Sequence, residues 1–182
     1  MKNMIYNISD TERVLAERFL EKQNQFKELH TLLSLDDFAN QLKIKGKNRS
    51  CSIYELRKSN KIIALNIDGD FFYPSFQLDN TGNVYSEIIK GFPRVSKYFS
   101  AWDFAFWITD MHTLVLNEPS LDFDIVENIA AKQLSLDELI MFIENELEPT
   151  NSITEVPLTL LKNGDYKMFS NFITSLIVSN EW

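Results

Sequence analysis

The sequence predicts a mainly α-helical protein with one small β-hairpin: a winged helix-turn-helix unit followed by an aromatic-rich helical domain. Three observations carry this. Gly and Pro number only five each in 182 residues, too few for a turn-rich β architecture. Several stretches start with a serine and an acidic residue three positions on, as Ser9/Glu12, Ser34/Asp37 and Ser135/Glu138 do, and continue with apolar residues at helical spacing. One region alone reads as paired strands. Lys61–Ile67 and Asp70–Tyr73 flank Asp68-Gly69, a two-residue turn signal that requires positive φ at both positions. A hydrophobic content of 45%, with 14 Phe and 3 Trp, supplies a strongly aromatic core.

Taken in order, residues 1–33 form an N-terminal helical unit. Its helix runs from Ser9 to Leu33 with apolar residues at Val14, Leu15, Phe19, Phe26, Leu29, Leu32 and Leu33, and reads either as a core cover or as a dimer-forming helix. Residues 34–79 form the helix-turn-helix with its hairpin wing. The first helix starts after Ser34 and buries Leu35, Phe38, Ala39 and Leu42. A polar break containing Gly46 follows, then a second helix over Ser50–Asn60 that buries Ile53 and Leu56. Cys51 reads as a small apolar filler beside that face. Asn60 stands where a helix end favours a left-handed residue.

Residues 80–148 form a helical partner-binding domain. A helix over Val84–Lys90 is expected to end at Gly91-Phe92-Pro93, and Ser100–Ile108 is apolar nearly all round, as a central buried helix should be. Met111–Pro119 reads as a loop and Leu121–Leu134 as helical. A helix opened by Ser135 and closed by Pro149 completes the domain. Residues 149–182 form a C-terminal extension of unassigned role, a polar linker to Val156 and then an amphipathic segment over Tyr166–Val178.

Charge singles out the second helix. The chain carries −8 overall, with a pI near 4.8, which argues against general coating of nucleic acid. Between Lys43 and Lys61, however, stand seven basic residues and one acid, Glu55. Arg49, Ser50, Tyr54, Arg57 and Lys58 lie off the Ile53/Leu56 face and, with Lys47 and Lys61 on either side of the helix, are the candidate DNA contacts, Arg toward guanine edges and Lys toward phosphate. The competing reading is a plain solvated face. Asp68 and Asp70 at the hairpin tip oppose phosphate, so the wing reads as structural.

Other chemistry is thin. His30, His112 and the single Cys51 are too far apart in sequence for a zinc site. No Gly-rich phosphate loop and no nucleophile elbow is present. The reading is therefore of a protein that is not an enzyme and needs no cofactor. One cysteine, no signal peptide and no apolar run of membrane-spanning length point to the cytoplasm. Trp102, at the start of the Ser100 helix, is the candidate partner-binding residue, and Trp107 reads as core.

The residues also resemble a known bacterial family. Tyr73, Pro74, Phe76, Gln77 and Asp79, then Gly82, then Ser100 and Trp102, Trp107, and Pro119 with Leu121 follow the order seen in antitoxin-like DNA-binding proteins of the Xre/MbcA/ParS group. The resemblance spans about residues 33–145. It implies a transcription regulator of a type II toxin–antitoxin system, with one part binding operator DNA and the other binding a partner toxin, often of the RES-domain kind that consumes NAD. It also implies a homodimer. The alternative is a protein-interaction module that does not bind DNA. In either case the segment Phe71–Asp79 reads as the joint, with Phe72 and Phe76 pinning the two halves together.

Overall fold

A computed structural model describes residues 9–46, 48–116 and 151–180, together with Ser135, Glu138 and Met141. The predicted class is what it shows: mainly helix with small antiparallel sheets. Helix α1 (Asp10–Leu29) opens on a capping box in which Ser9 and Glu12 bond each other's backbone N–H. The chain then departs from the single helix expected to Leu33. Leu32–Leu33 is a short strand, β1, because it pairs with Tyr73 and Pro74.

Helix α2 (Leu35–Gln41) is capped by Ser34, and α3 (Arg49–Lys58) follows. Strands β2 (Leu65–Ile67) and β3 (Asp70–Pro74) form the hairpin, with Asp68 at φ 54° and Gly69 at φ 96°. The sheet order is β1-β3-β2, so β3 is its centre. This order α1-β1-α2-α3-β2-β3 is that of a winged helix-turn-helix. Ile62, Ile63 and Ala64, expected in the strand, are core-filling residues ahead of it.

The remaining helices are α4 (Ser86–Val95), α5 (Ala101–Thr109), α6 (Pro157–Asn163) and α7 (Tyr166–Val178). Helix α4 does not stop at Gly91. It runs through Pro93 because Phe92 and Val95 are buried and Gly91 lies against Ile173 of α7, an apolar gain that offsets the hydrogen bond proline removes. The expected loop at Met111 and the expected linker at Ser152 are instead strands β4 (His112–Val115) and β5 (Ser152–Glu155), paired antiparallel with Leu114 opposite Ile153. The helix expected over Leu121–Leu134 lies outside the described residues. So does the body of the helix after Ser135, although the Ser135–Glu138 capping bonds are in place.

Two cores meet at the segment after the hairpin. The smaller holds Phe38, Ala39, Ile53, Ile62, Ala64 and Tyr73. The larger gathers α4, α5, α6 and α7 around Phe92, Phe104, Trp107, Leu161 and Phe169. Residues from 151 onward therefore complete the main core: Leu158, Leu161, Phe172 and Ile173 are all buried in it. Tyr73 stacks on Phe38 in the small core at 4.7 Å between ring centres, while Phe76 meets Phe26 and His30 on the large one. Phe72, expected as a second pin, belongs to neither core.

Gln77 closes the joint. It is wholly buried and uses its amide as a strand-like partner, accepting from Ile63 N at 2.7 Å and donating to Ile63 O at 2.9 Å and Pro74 O at 3.1 Å. The turn after it locks the halves again. Asp79 accepts from the Thr81 and Asn83 backbone N–H groups. Gly82, at φ 84°, approaches α2 so closely that a Cβ there would lie 2.6 Å from the Gln41 carbonyl oxygen.

Candidate nucleic-acid interface

Helix α3 packs along one face, and five of its ten residues are exposed. Its N-cap Asn48 makes no side-chain cap bond, and only Ile53 is fully buried. The turn before it is long, and it bends through positive φ at Lys43 and Gly46. Lys43 reaches across to the Thr81 carbonyl at 3.1 Å and so ties this turn to the second half. Asn60 adopts the left-handed conformation expected of a C-terminal stop, and its amide donates to Ser96 at the end of α4.

The candidate contacts divide into groups. Ser50, Tyr54, Lys58 and Lys61 are exposed. Arg49 is half-buried and spends a guanidinium N–H on Asn40 Oδ1 at 2.7 Å, so it fastens α3 to α2. Arg57 is half-buried between two rings, 3.7 Å from the centre of Phe71 and 5.4 Å from that of Tyr54. A guanidinium stacked this way bridges the helix and the hairpin. Lys47 lies outside the described residues.

Cys51 corrects the sequence reading: it is exposed. Two residues before Ile53 is about 200° around the helix, so a residue there cannot share Ile53's face. It lies instead on the stripe of Cys51, Tyr54, Glu55 and Lys58, at i, i+3, i+4 and i+7. That spacing was readable from the sequence. The Arg57–Phe71 stack was not, since it joins residues brought together only by the hairpin.

Electrostatics favour an anion here. The salt bridges among the described residues are Arg13–Asp10, Arg13–Glu17 and Lys22–Asp110, all away from α3. No cation of the Lys43–Lys61 stretch is neutralised by a carboxylate within the described residues. Beside Arg57 a cleft of about 440 Å³ opens between Ser34, Asp36 and Phe71, and another of about 420 Å³ between Ser50, Cys51 and Tyr54. Asp36 of α2 and Asp70 of the hairpin line the first, opposite Arg57 of α3.

No protein-family model, curated protein or solved structure matches the chain.

The second half differs from expectation at Trp102. Its ring is only 7% exposed, covered by Phe26 and Phe19 of α1, and its indole N–H donates to the Asn66 carbonyl at 3.2 Å. Trp102 is thus a packing residue between α1, α5 and the hairpin, and it offers a partner no surface. The sequence placed it at a helix start, where exposure is common, and gave no sign that a helix more than seventy residues earlier would cover it. No helix of the described residues is long and apolar enough to cross a membrane.

Proposed function

We propose that this chain is a DNA-binding transcription regulator that reads an operator with α3 and engages a partner protein through its helical half. The observation that carries the reading is the outward stripe of α3. Tyr54 and Lys58, with Ser50 and Lys61 beside them, are exposed on the second helix of a helix-turn-helix, and the cations there are free of carboxylate partners among the described residues. In such units the second helix enters the major groove. Tyr54, Ser50 and Cys51 would meet base edges, and Lys58 and Lys61 phosphates. Arg49 and Arg57 would act mainly by holding α3 against α2 and against the hairpin. The strongly acidic remainder limits non-specific attachment.

The resemblance to Xre/MbcA/ParS-type antitoxins supports a partner toxin, with the RES-domain kind first in line, and a cytoplasmic site of action. The test is footprinting on DNA upstream of the chain's own gene. A discrete protected site, weakened at least about tenfold by Tyr54→Ala with Lys58→Ala, supports the reading. If no site is protected at any concentration, while a neighbouring gene's product still binds, the chain is an interaction module without DNA binding.

A further inference from the structure

A cleft of about 270 Å³ opens between α4 and α7, and none of its lining residues belongs to α3. Two helix faces line it. On α4, Glu87, Lys90, Gly91 and Arg94 stand at i, i+3, i+4 and i+7. On α7, Tyr166, Phe169, Ser170 and Ile173 repeat that spacing, with Lys167 beside them. The floor is apolar, since Gly91, Phe169 and Ile173 are buried. Gly91 keeps it open: a Cβ there would already meet Ile173 at 3.5 Å, so a longer side chain would enter the space between the helices. The rim is exposed and polar. An apolar floor with a few convergent polar groups is the make-up of a small-ligand site.

The charge at the rim has no counterpart. Lys90, Arg94 and Lys167 face the single carboxylate of Glu87, which leaves a surplus of two positive charges in a chain of −8. None of the three cations is in an ion pair among the described residues. Glu87 is engaged along its own helix, accepting from Ser86 Oγ at 2.7 Å, and the nearby Asp165 is taken up by the Met168 N–H. Lys90 and Arg94 repel each other at i and i+4. Lys167 stands in the first turn of α7, where a cation opposes the helix dipole. This placement costs stability unless an anion sits among the three. A phosphate monoester carries about −1.5 to −2 at neutral pH, with three acceptor oxygens, and so matches the surplus, whereas one carboxylate would leave a cation over. The Tyr166 ring beside the floor offers a surface to a planar group. A DNA backbone would have no use for that floor.

We propose that this cleft binds a small phosphate monoester carrying a planar ring, with the phosphate held by Lys90, Arg94 and Lys167 and the ring laid against Tyr166 over the floor. The inference stands apart from the DNA reading, since no residue of the site belongs to the helix-turn-helix and α7 lies beyond the stretch that resembles the antitoxin family. Phenyl phosphate is the probe, titrated into the full chain without DNA and followed by amide NMR, which also locates the site. The Gly91 and Ser170 signals should shift and saturate. Arg94→Gln should weaken binding at least about tenfold, through the loss of one charged hydrogen-bond donor. Tyr166→Ala should weaken it roughly 2–10-fold, through the loss of the ring contact. Lys45→Gln, which removes an exposed cation outside the cleft, should leave the affinity unchanged. All three side chains are exposed, so each variant keeps the fold. Inorganic phosphate, which has no ring, should compete more weakly than phenyl phosphate. The proposal is overturned if phenyl phosphate shifts no signal of the cleft, or if Arg94→Gln binds as wild type does. It is equally overturned if Lys45→Gln weakens binding as much as Arg94→Gln, which is charge attraction without a site. Inorganic phosphate that competes equally well also overturns it, leaving a bare phosphate contact of the kind a nucleic-acid backbone makes.

Discussion

Replacing Gln77 with leucine isolates the contribution of the joint between the two cores. The side chains are similar in volume, so packing is largely kept, and what changes is hydrogen bonding. In the native protein the Gln77 amide satisfies both the N–H and the carbonyl of Ile63, a residue with no exposed surface, and also bonds the Pro74 carbonyl. Leucine leaves the Ile63 pair unbonded inside the protein. An orphaned buried backbone group costs about 1–3 kcal/mol, so two cost roughly 2–6 kcal/mol, a large part of the about 5–15 kcal/mol that keeps a domain folded. Urea unfolding followed by tryptophan fluorescence reads this directly as a fall in midpoint with little change in slope. Trp102 and Trp107 lie in the larger core, so a second probe, far-UV circular dichroism, checks that both cores unfold together. A Gln77→Leu protein within about 0.5 kcal/mol of wild type, below the cost of even one orphaned group, would refute the claim that this amide holds the joint. The same geometry explains physically why glutamine, whose amide offers N–H donors and a carbonyl acceptor on a single plane, occupies a position that the sequence marked only by resemblance.

Three further outcomes follow from the geometry. Gly82→Ala should destabilise by about 1–3 kcal/mol or more, because the residue holds a left-handed φ and its Cβ would press on the Gln41 carbonyl; an unchanged urea midpoint would contradict the contact. His30 is held below its usual pKa of 6.5, chiefly by burial and then by Lys162, with Asp110 opposing. Its neutral form is therefore the native one, so its contribution is fully present above about pH 6.5 and is lost as pH falls through that value toward the depressed one. His30→Gln should flatten that part of the stability–pH curve, and a curve of unchanged shape would count against it. Alkylating Cys51 should weaken operator binding while leaving thermal unfolding unchanged, since the thiol is exposed on the outward stripe of α3; full binding by the alkylated protein would remove that stripe from the interface.

Local chemistry made parts of this molecule legible from the sequence. The Asp68-Gly69 turn, the Ser34 cap, the left-handed Asn60 and the limits of α7 depend on residues within a few positions of one another. What the sequence did not disclose depends on distant partners. Leu32 and Leu33 are a strand because β3 returns to them, and β4 finds β5 some forty residues later. Pro93 is tolerated in α4 because α7 covers that face. The candidate site divides the same way. The charge cluster and the α3 stripe could be read along the chain. The burial of Trp102 under α1 and the stacking of Arg57 on Phe71 could not, because each is set by a neighbour from another element.

The central claim, that α3 carries phosphate and base contacts, is tested most directly by titrating DNA affinity against salt for wild type and for Lys58→Ala/Lys61→Ala. Each phosphate contact contributes about 0.9 to the slope of log affinity against log salt on duplex DNA. The account predicts a steep wild-type slope on upstream DNA that falls by about 2 in the double variant. A slope that is near zero, or that the two substitutions leave unchanged, would contradict it.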